Sequence, residues 1–210
     1  MKLRCFFAAG LLAGAGAFAQ TGPQPAASLP QDHHDGMTIS ADAYLDPGRA
    51  KEKLGKVDPF PEGILPIEVF MKNETDQPIK VNLDTIQLEV RSGTQHQDID
   101  SLPPTEVASA IAHPNGTPNP GLRRFPIGAN IPKDEKRDKA LDALRPVVLN
   151  SDIVPPHGTI HGFIFFDVGR NNMPALAKAS LYLPDLSVAT TNAPLMFFEV
   201  MLGKPDSAQQ

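Results

Sequence analysis

Histidine carries most of the chemistry open to this chain. The 210 residues hold 6 histidines and 1 cysteine, and that cysteine, Cys5, lies in a segment expected to be removed. Neutral imidazole and carboxylate are ligands for zinc and copper. Asp32-His33-His34-Asp35 therefore reads as a tetrad able to chelate a divalent cation, set against a plain role as solvated linker. His157 and His161 stand at i,i+4, the helical spacing that brings two imidazoles to one ion. Their surroundings read instead as turn plus strand. In an extended chain, residues four apart share a face but lie roughly 13 Å apart, and no Glu completes a His-Glu-x-x-His pattern. The metal candidates are thus His33, His34 and Asp35, then His157 and His161, with turn and strand roles as the ordinary alternative. Arg123 and Arg124, ahead of Phe125-Pro126, form a candidate contact for an anion or a partner.

Other chemistries lack their parts. There is no Gly-x-Ser-x-Gly elbow and no Ser-x-x-Lys. There is no Gly-x-Gly-x-x-Gly and no P-loop, so no nucleotide cradle is expected. A carboxylate pair for glycoside hydrolysis is a matter of three-dimensional geometry. Against it, the chain has no Trp and only Tyr44 and Tyr182 to build an aromatic sugar platform. No catalytic residue and no cofactor is assigned.

The amino terminus reads as an address. Lys2 and Arg4 precede an apolar stretch from Cys5 to Leu12, and Ala17-Phe18-Ala19 fits a small-x-small cleavage site before Gln20. This is the layout of a secretory signal peptide over residues 1–19, and it predicts export to the periplasm or beyond. The mature chain would keep no cysteine, which excludes disulfides, thiolate nucleophiles and Cys-ligated metal centres. Loss of two positive charges takes the formal net charge from −5 to about −7. An acidic protein repels phosphate backbones, so nucleic acid is not an expected partner. No apolar run has membrane-spanning length, so an integral membrane protein is not expected.

The elements that must position these residues follow from patterning. The 22 prolines, about twice average usage, argue against a helical bundle. Residues 20–36 are expected to be a disordered linker, because they hold few large apolar side chains. Met37–Ala43 alternates as a strand, and Arg49–Leu54 reads as a short helix closed by Gly55. Gly63–Lys72 and Thr85–Arg91 alternate with period two and are expected to pair as antiparallel neighbours. Thr105 is expected to cap a short helix, and 132–145 forms a surface helix suited to the macrodipole. Val147–Val154, Thr159–Val168, Ala179–Leu183 and Leu195–Leu202 complete the strands. In the last of these, Met196, Phe198, Val200 and Leu202 are expected on one face. Gly162 marks a bulge or a close packing neighbour. The result is a mainly β fold. It is read as an immunoglobulin-like antiparallel β-sandwich over residues 37–203, with a helical insertion at about 103–146 and a tail at 204–210. A partly open barrel is the alternative.

Gly63-Ile64-Leu65-Pro66-Ile67 leading to Asn73, Pro155-Pro156-His157-Gly158 ahead of Gly162-Phe163, and Phe197-Phe198-Glu199-Val200 carry a resemblance. Together they resemble exported bacterial proteins of unknown function with an immunoglobulin-like β-sandwich. The resemblance implies fold and export and no catalytic residues.

Aromatic or branched side chains occupy both faces of 163–166, so the region 104–145 is expected to cover one face or to present a recognition surface. The function that fits best is a non-enzymatic binding or scaffolding module of the cell envelope with a protein partner. The alternatives are a periplasmic metal-handling protein using its histidines and a carboxylate-based hydrolase.

Overall fold

A computed structural model describes residues 29–92, 95–114, 134–170, 176 and 178–203. The expected leader, residues 20–28, Arg123, Arg124 and the tail lie outside the described residues. The chain is mainly β, with three antiparallel sheets, eleven strands and three α-helices among the described residues.

The first sheet has the order β1-β2-β3-β8, from Gln31–His34, Met37–Ala43, Ile64–Asn73 and Thr159–Asp167. Strand β1 corrects the expectation of a disordered linker for its last residues, 31–36. Asp35 and Gly36 both take positive φ, 49° and 72°, as a two-residue hairpin between right-twisted strands requires. Gln31–His34 then pairs with Ser40–Met37. An Asp-Gly turn is the local signal for this hairpin, and the polar composition of β1 masks it.

The second sheet has the order β10-β4-β7, from Leu186–Val188, Ile79–Val81 and Ile153–Val154. The third has the order β11-β9-β5-β6, from Phe198–Met201, Ala179–Leu183, Gln87–Ser92 and Gln95–Asp100. The two best strands of the sequence are therefore not neighbours. β3 pairs with β2 and β8, and β5 pairs with β6 and β9. Asn73 explains the departure. It is fully buried, donates to Gln77 O (2.7 Å) and Val154 O (3.2 Å), and accepts the Thr75 N–H (2.9 Å). This turn delivers the chain to β4, in a different sheet, before β5 begins.

Alternation along β3 serves two cores. Leu65, Ile67, Val69 and Met71 join Ile79, Val81, Leu88, Leu181, Phe198 and Val200 from the other sheets. Ile64, on the opposite face, joins Phe163 and Phe165 of β8 beneath the helices. Those helices are α1 (Pro47–Leu54), α2 (Pro104–Ala112) and α3 (Glu135–Leu144). They contribute Ala50, Leu54, Val107, Ala108 and Leu144 to this second core. Within the region 104–145, α2 and α3 thus supply much of the cover over the aromatic face of β8. Fully burying one Phe or Leu side chain is worth about 1.5–3 kcal/mol, which drives the helices onto the sheet.

Local details refine the expectations. The cap of α2 is Pro103, not Thr105: Pro104 sits at the first helical position, where no N–H is needed. Asp134 caps α3 by accepting the Arg137 N–H at 3.1 Å. A continuous strand over Val147–Val154 does not form. Val148 instead makes a single parallel bridge to Phe163, with Leu149 N–H donating to Phe163 O at 3.0 Å and Phe163 N–H to Val147 O at 2.8 Å. Gly162 allows this close approach, because a Cβ there would run into the Leu149 backbone. The last strand starts at Phe198, so Met196 leaves the expected face and is 62% exposed while Phe198 is fully buried.

Candidate functional site

The fold splits the metal candidates of the sequence: His34 stays beside Asp32 and Asp35, with Nε2 3.6 Å from Asp32 Oδ2 and Nδ1 3.4 Å from Asp35 Oδ2, while His33, His157 and His161 lie apart from it. In β1, residues alternate, so Asp32 and His34 face β11 while His33 turns away, its Nδ1 2.7 Å from Thr38 Oγ1. His34 Nε2–H donates to Phe197 O at 3.0 Å, and its ring stacks on Phe198 with centroids 3.7 Å apart. Asp32 accepts the Glu199 N–H at 3.0 Å, and Asp35 accepts the Met196 N–H at 3.3 Å. Phe197 O and Glu199 N–H point the same way, off the free edge of the third sheet, because residues two apart in a strand repeat their orientation. The hairpin side chains therefore stand in for a neighbouring strand.

His157 and His161 also part company. His157, at positive φ in the turn, lies 2.8 Å from Asp76 Oδ1. His161 stacks near Phe70 and lies 3.7 Å from Glu68 Oε1. Glu68 is buried on the helical face of β3, where it accepts the Tyr44 hydroxyl (2.9 Å) and pairs with Lys53 Nζ (3.1 Å). Burial first, then this hydrogen bond to a carboxylate, pushes the Tyr44 hydroxyl well above the ordinary phenol range. Lys53 projects from α1, so the cluster ties that helix to the sheet. Among the described residues, no buried side-chain nitrogen or oxygen lacks a partner.

A cleft of about 650 Å³ runs between the second sheet and its connections, lined in part by Lys80, Asp84, Asp152 and Asp185. Asn82 and Val81 donate backbone N–H groups to the carbonyls of Asp185 and Asp152 at 3.0 and 2.8 Å. Burial raises a carboxyl elsewhere: Asp58, whose side chain accepts the Phe60 N–H at 3.0 Å in the loop after α1. That is turn chemistry.

The solvent-facing side of the third sheet is the most distinctive surface. Register places Glu89 opposite Asp98 and Arg91 opposite His96 across β5 and β6. On the other flank, Glu89 faces Ser180 and Gln87 faces Tyr182 of β9. Tyr182 and Ser180 in turn face Glu199 and Met201 of β11. Arg91 bridges two carboxylates, Glu89 Oε2 at 3.0 Å and Glu199 Oε1 at 3.2 Å. Ser180 Oγ–H also donates to Glu199, at 2.9 Å. His96 Nε2 lies 2.7 Å from Asp98 Oδ1. One ligand atom each from Glu89, His96 and Asp98 can be chosen so that all lie within 4.8 Å of one another. Phe197, against Tyr182 at 5.4 Å, and Met201 flank these charges. Met196, Phe197 and Met201 are 62%, 47% and 52% exposed.

Sequence reading missed this surface because Gln95–Asp100 carries almost no apolar signal. Period-two alternation of His96, Asp98 and Asp100 was the available hint, and it has meaning only beside its partner strand.

No family model matches the chain, and no curated protein matches it. A solved crystal structure of a functionally unknown protein from Listeria monocytogenes EGD-e is distantly similar. The likeness has 11% identity, covers 83% of this chain and 82% of that one, and has a TM-score of 0.38.

Proposed function

We propose that the chain is an exported, non-enzymatic binding module of immunoglobulin-like β-sandwich type that docks a protein of the cell envelope through the outer face of its third sheet. One observation carries the reading. The first sheet buries Phe163 and Phe165 of its outer face under α1, α2 and α3, whereas the third leaves Phe197, Met201 and Arg91 to solvent, with Met196 beside them and Tyr182 half-buried against Phe197. Aromatic residues, Met and Arg are the types enriched where proteins meet. Two core layers separated by antiparallel sheets support the sandwich, and the basic, apolar and small-residue run at the amino terminus supports export. No helix among the described residues is long and apolar enough to cross a membrane.

Site-specific photocrosslinking tests the docking face. A crosslinker replacing Phe197 should yield one dominant adduct in native envelope, and one replacing Glu106 on α2 should not. Adding Met196→Ser and Met201→Ser should abolish that adduct without lowering the thermal midpoint. Equal adducts from both positions would overturn the assignment. Export is tested separately by amino-terminal sequencing, which should start at Gln20; an intact Met1 in the cytosolic fraction would contradict it.

A further inference from the structure

We infer that Glu89, His96 and Asp98 form a divalent-metal site, for zinc in the first place, on the open face of the third sheet. His96 and Asp98 are two apart on β6, so they share a face, and Glu89 is the direct partner of Asp98 on β5. Three chosen donor atoms lie within 4.8 Å of one another. Tetrahedral zinc with ligands at about 2.0–2.2 Å holds them about 3.4 Å apart. His96 Nε2 and Asp98 Oδ1 already lie 2.7 Å apart, and rotation of these two exposed side chains opens the pair for an ion and turns it toward the more covered Glu89.

The donor set selects the metal. One imidazole and two carboxylates suit zinc, whereas magnesium and calcium prefer oxygen alone and copper(I) prefers sulfur. Three protein ligands leave a fourth position for water or for a ligand from outside.

The neighbouring cation does not block the site. Arg91 binds Glu89 and Glu199 at once, 3.0 and 3.2 Å away, and is itself 54% exposed. When the metal takes Glu89, Arg91 keeps Glu199, which Ser180 already orients at 2.9 Å. Gln87 Nε2–H donates to Asp100 at 2.9 Å, which occupies the next carboxylate along β6 outside the ligand set. The resulting balance is a metal beside a salt bridge, with no cation left unpaired. The site stands whether or not the face docks a protein, and it is separate from the histidines that sequence spacing first suggests.

The test is zinc titration by calorimetry on the full purified chain carrying no affinity tag. One equivalent should bind. His96→Gln and Glu89→Gln should each weaken binding by at least about tenfold, while the double control His33→Ala/His157→Ala should stay within about twofold of wild type. His96 is half-exposed, and Glu89→Gln keeps the shape of a largely covered side chain, so the circular dichroism of both variants should match wild type. As a second readout, zinc should shift the His96 ring resonances in NMR before those of any other histidine. Three results would each overturn the site: no binding at about 1 mM zinc, wild-type affinity in His96→Gln, or loss of binding in the double control.

Discussion

Removing the side chains that stand in for a strand at the edge of the third sheet should cost both stability and solubility. The double variant Asp32→Ala/His34→Ala deletes three interactions with the third sheet. The first is the 3.0 Å bond from His34 Nε2–H to Phe197 O, a neutral hydrogen bond worth about 0.5–1.5 kcal/mol net. The second is the 3.0 Å bond from Glu199 N–H to the Asp32 carboxylate, for which about 1.5–3 kcal/mol is usual. The third is the stacking of His34 on buried Phe198 at 3.7 Å, worth about 0.5–1.5 kcal/mol. Asp32 and His34 side chains are 30% and 25% exposed. Water therefore recovers part of each bond, and a total of about 2–3 kcal/mol is expected. For a chain of this size that lowers the thermal midpoint by about 4–12 °C. A second signature separates this account from simple loss of packing. The freed carbonyl of Phe197 and N–H of Glu199 form an open edge beside exposed Met196 and Met201, and such edges recruit another strand. Light scattering after size exclusion should show concentration-dependent association of the variant and none of the parent. An unchanged midpoint together with a monodisperse variant would refute the reasoning.

Two further outcomes follow from packing and charge. Gly162→Val forces a side chain into the Leu149 backbone and should break the Leu149–Phe163 and Phe163–Val147 bonds; about 1–3 kcal/mol of lost stability is expected from urea unfolding, and an unshifted midpoint would contradict the close-approach role. Asp134 is held below the ordinary carboxylate range, chiefly by the 2.7 Å contact with His113 and then by the Arg137 N–H. A depressed carboxyl stabilises the fold fully above its unfolded value and loses that contribution as pH falls through its folded value. Protection of the Arg137 amide against exchange should therefore persist to lower pH in the parent than in His113→Ala; identical acid profiles would sink the pairing.

Legibility in the sequence tracked apolar period. β2, β3, β8 and β9 were readable because half or more of their side chains enter a core and alternate accordingly. The helices at 47–54 and 135–144 were readable from their turns and charges. Pairing was not readable, since Asn73 sets the path from β3 to β4 through hydrogen bonds to Gln77 and to Val154, far along the chain. The site was less legible still. Asp32, His34 and Asp35 attracted notice as ligands, yet their oxygens and nitrogens are spent on the backbone of residues 196–199. Alternation of His96 and Asp98 was the one local cue, and Glu89 joins them only through the register of β5 and β6.

The double duty of β3 has a mechanical outcome. With Ile64 feeding one apolar interior and Leu65, Ile67, Val69 and Met71 the other, this ribbon is a shared partition. Stripping away the helices would wet one side of it and loosen the contacts on its reverse. The two interiors should therefore melt as one cooperative unit, and neither half can be excised as a freestanding piece.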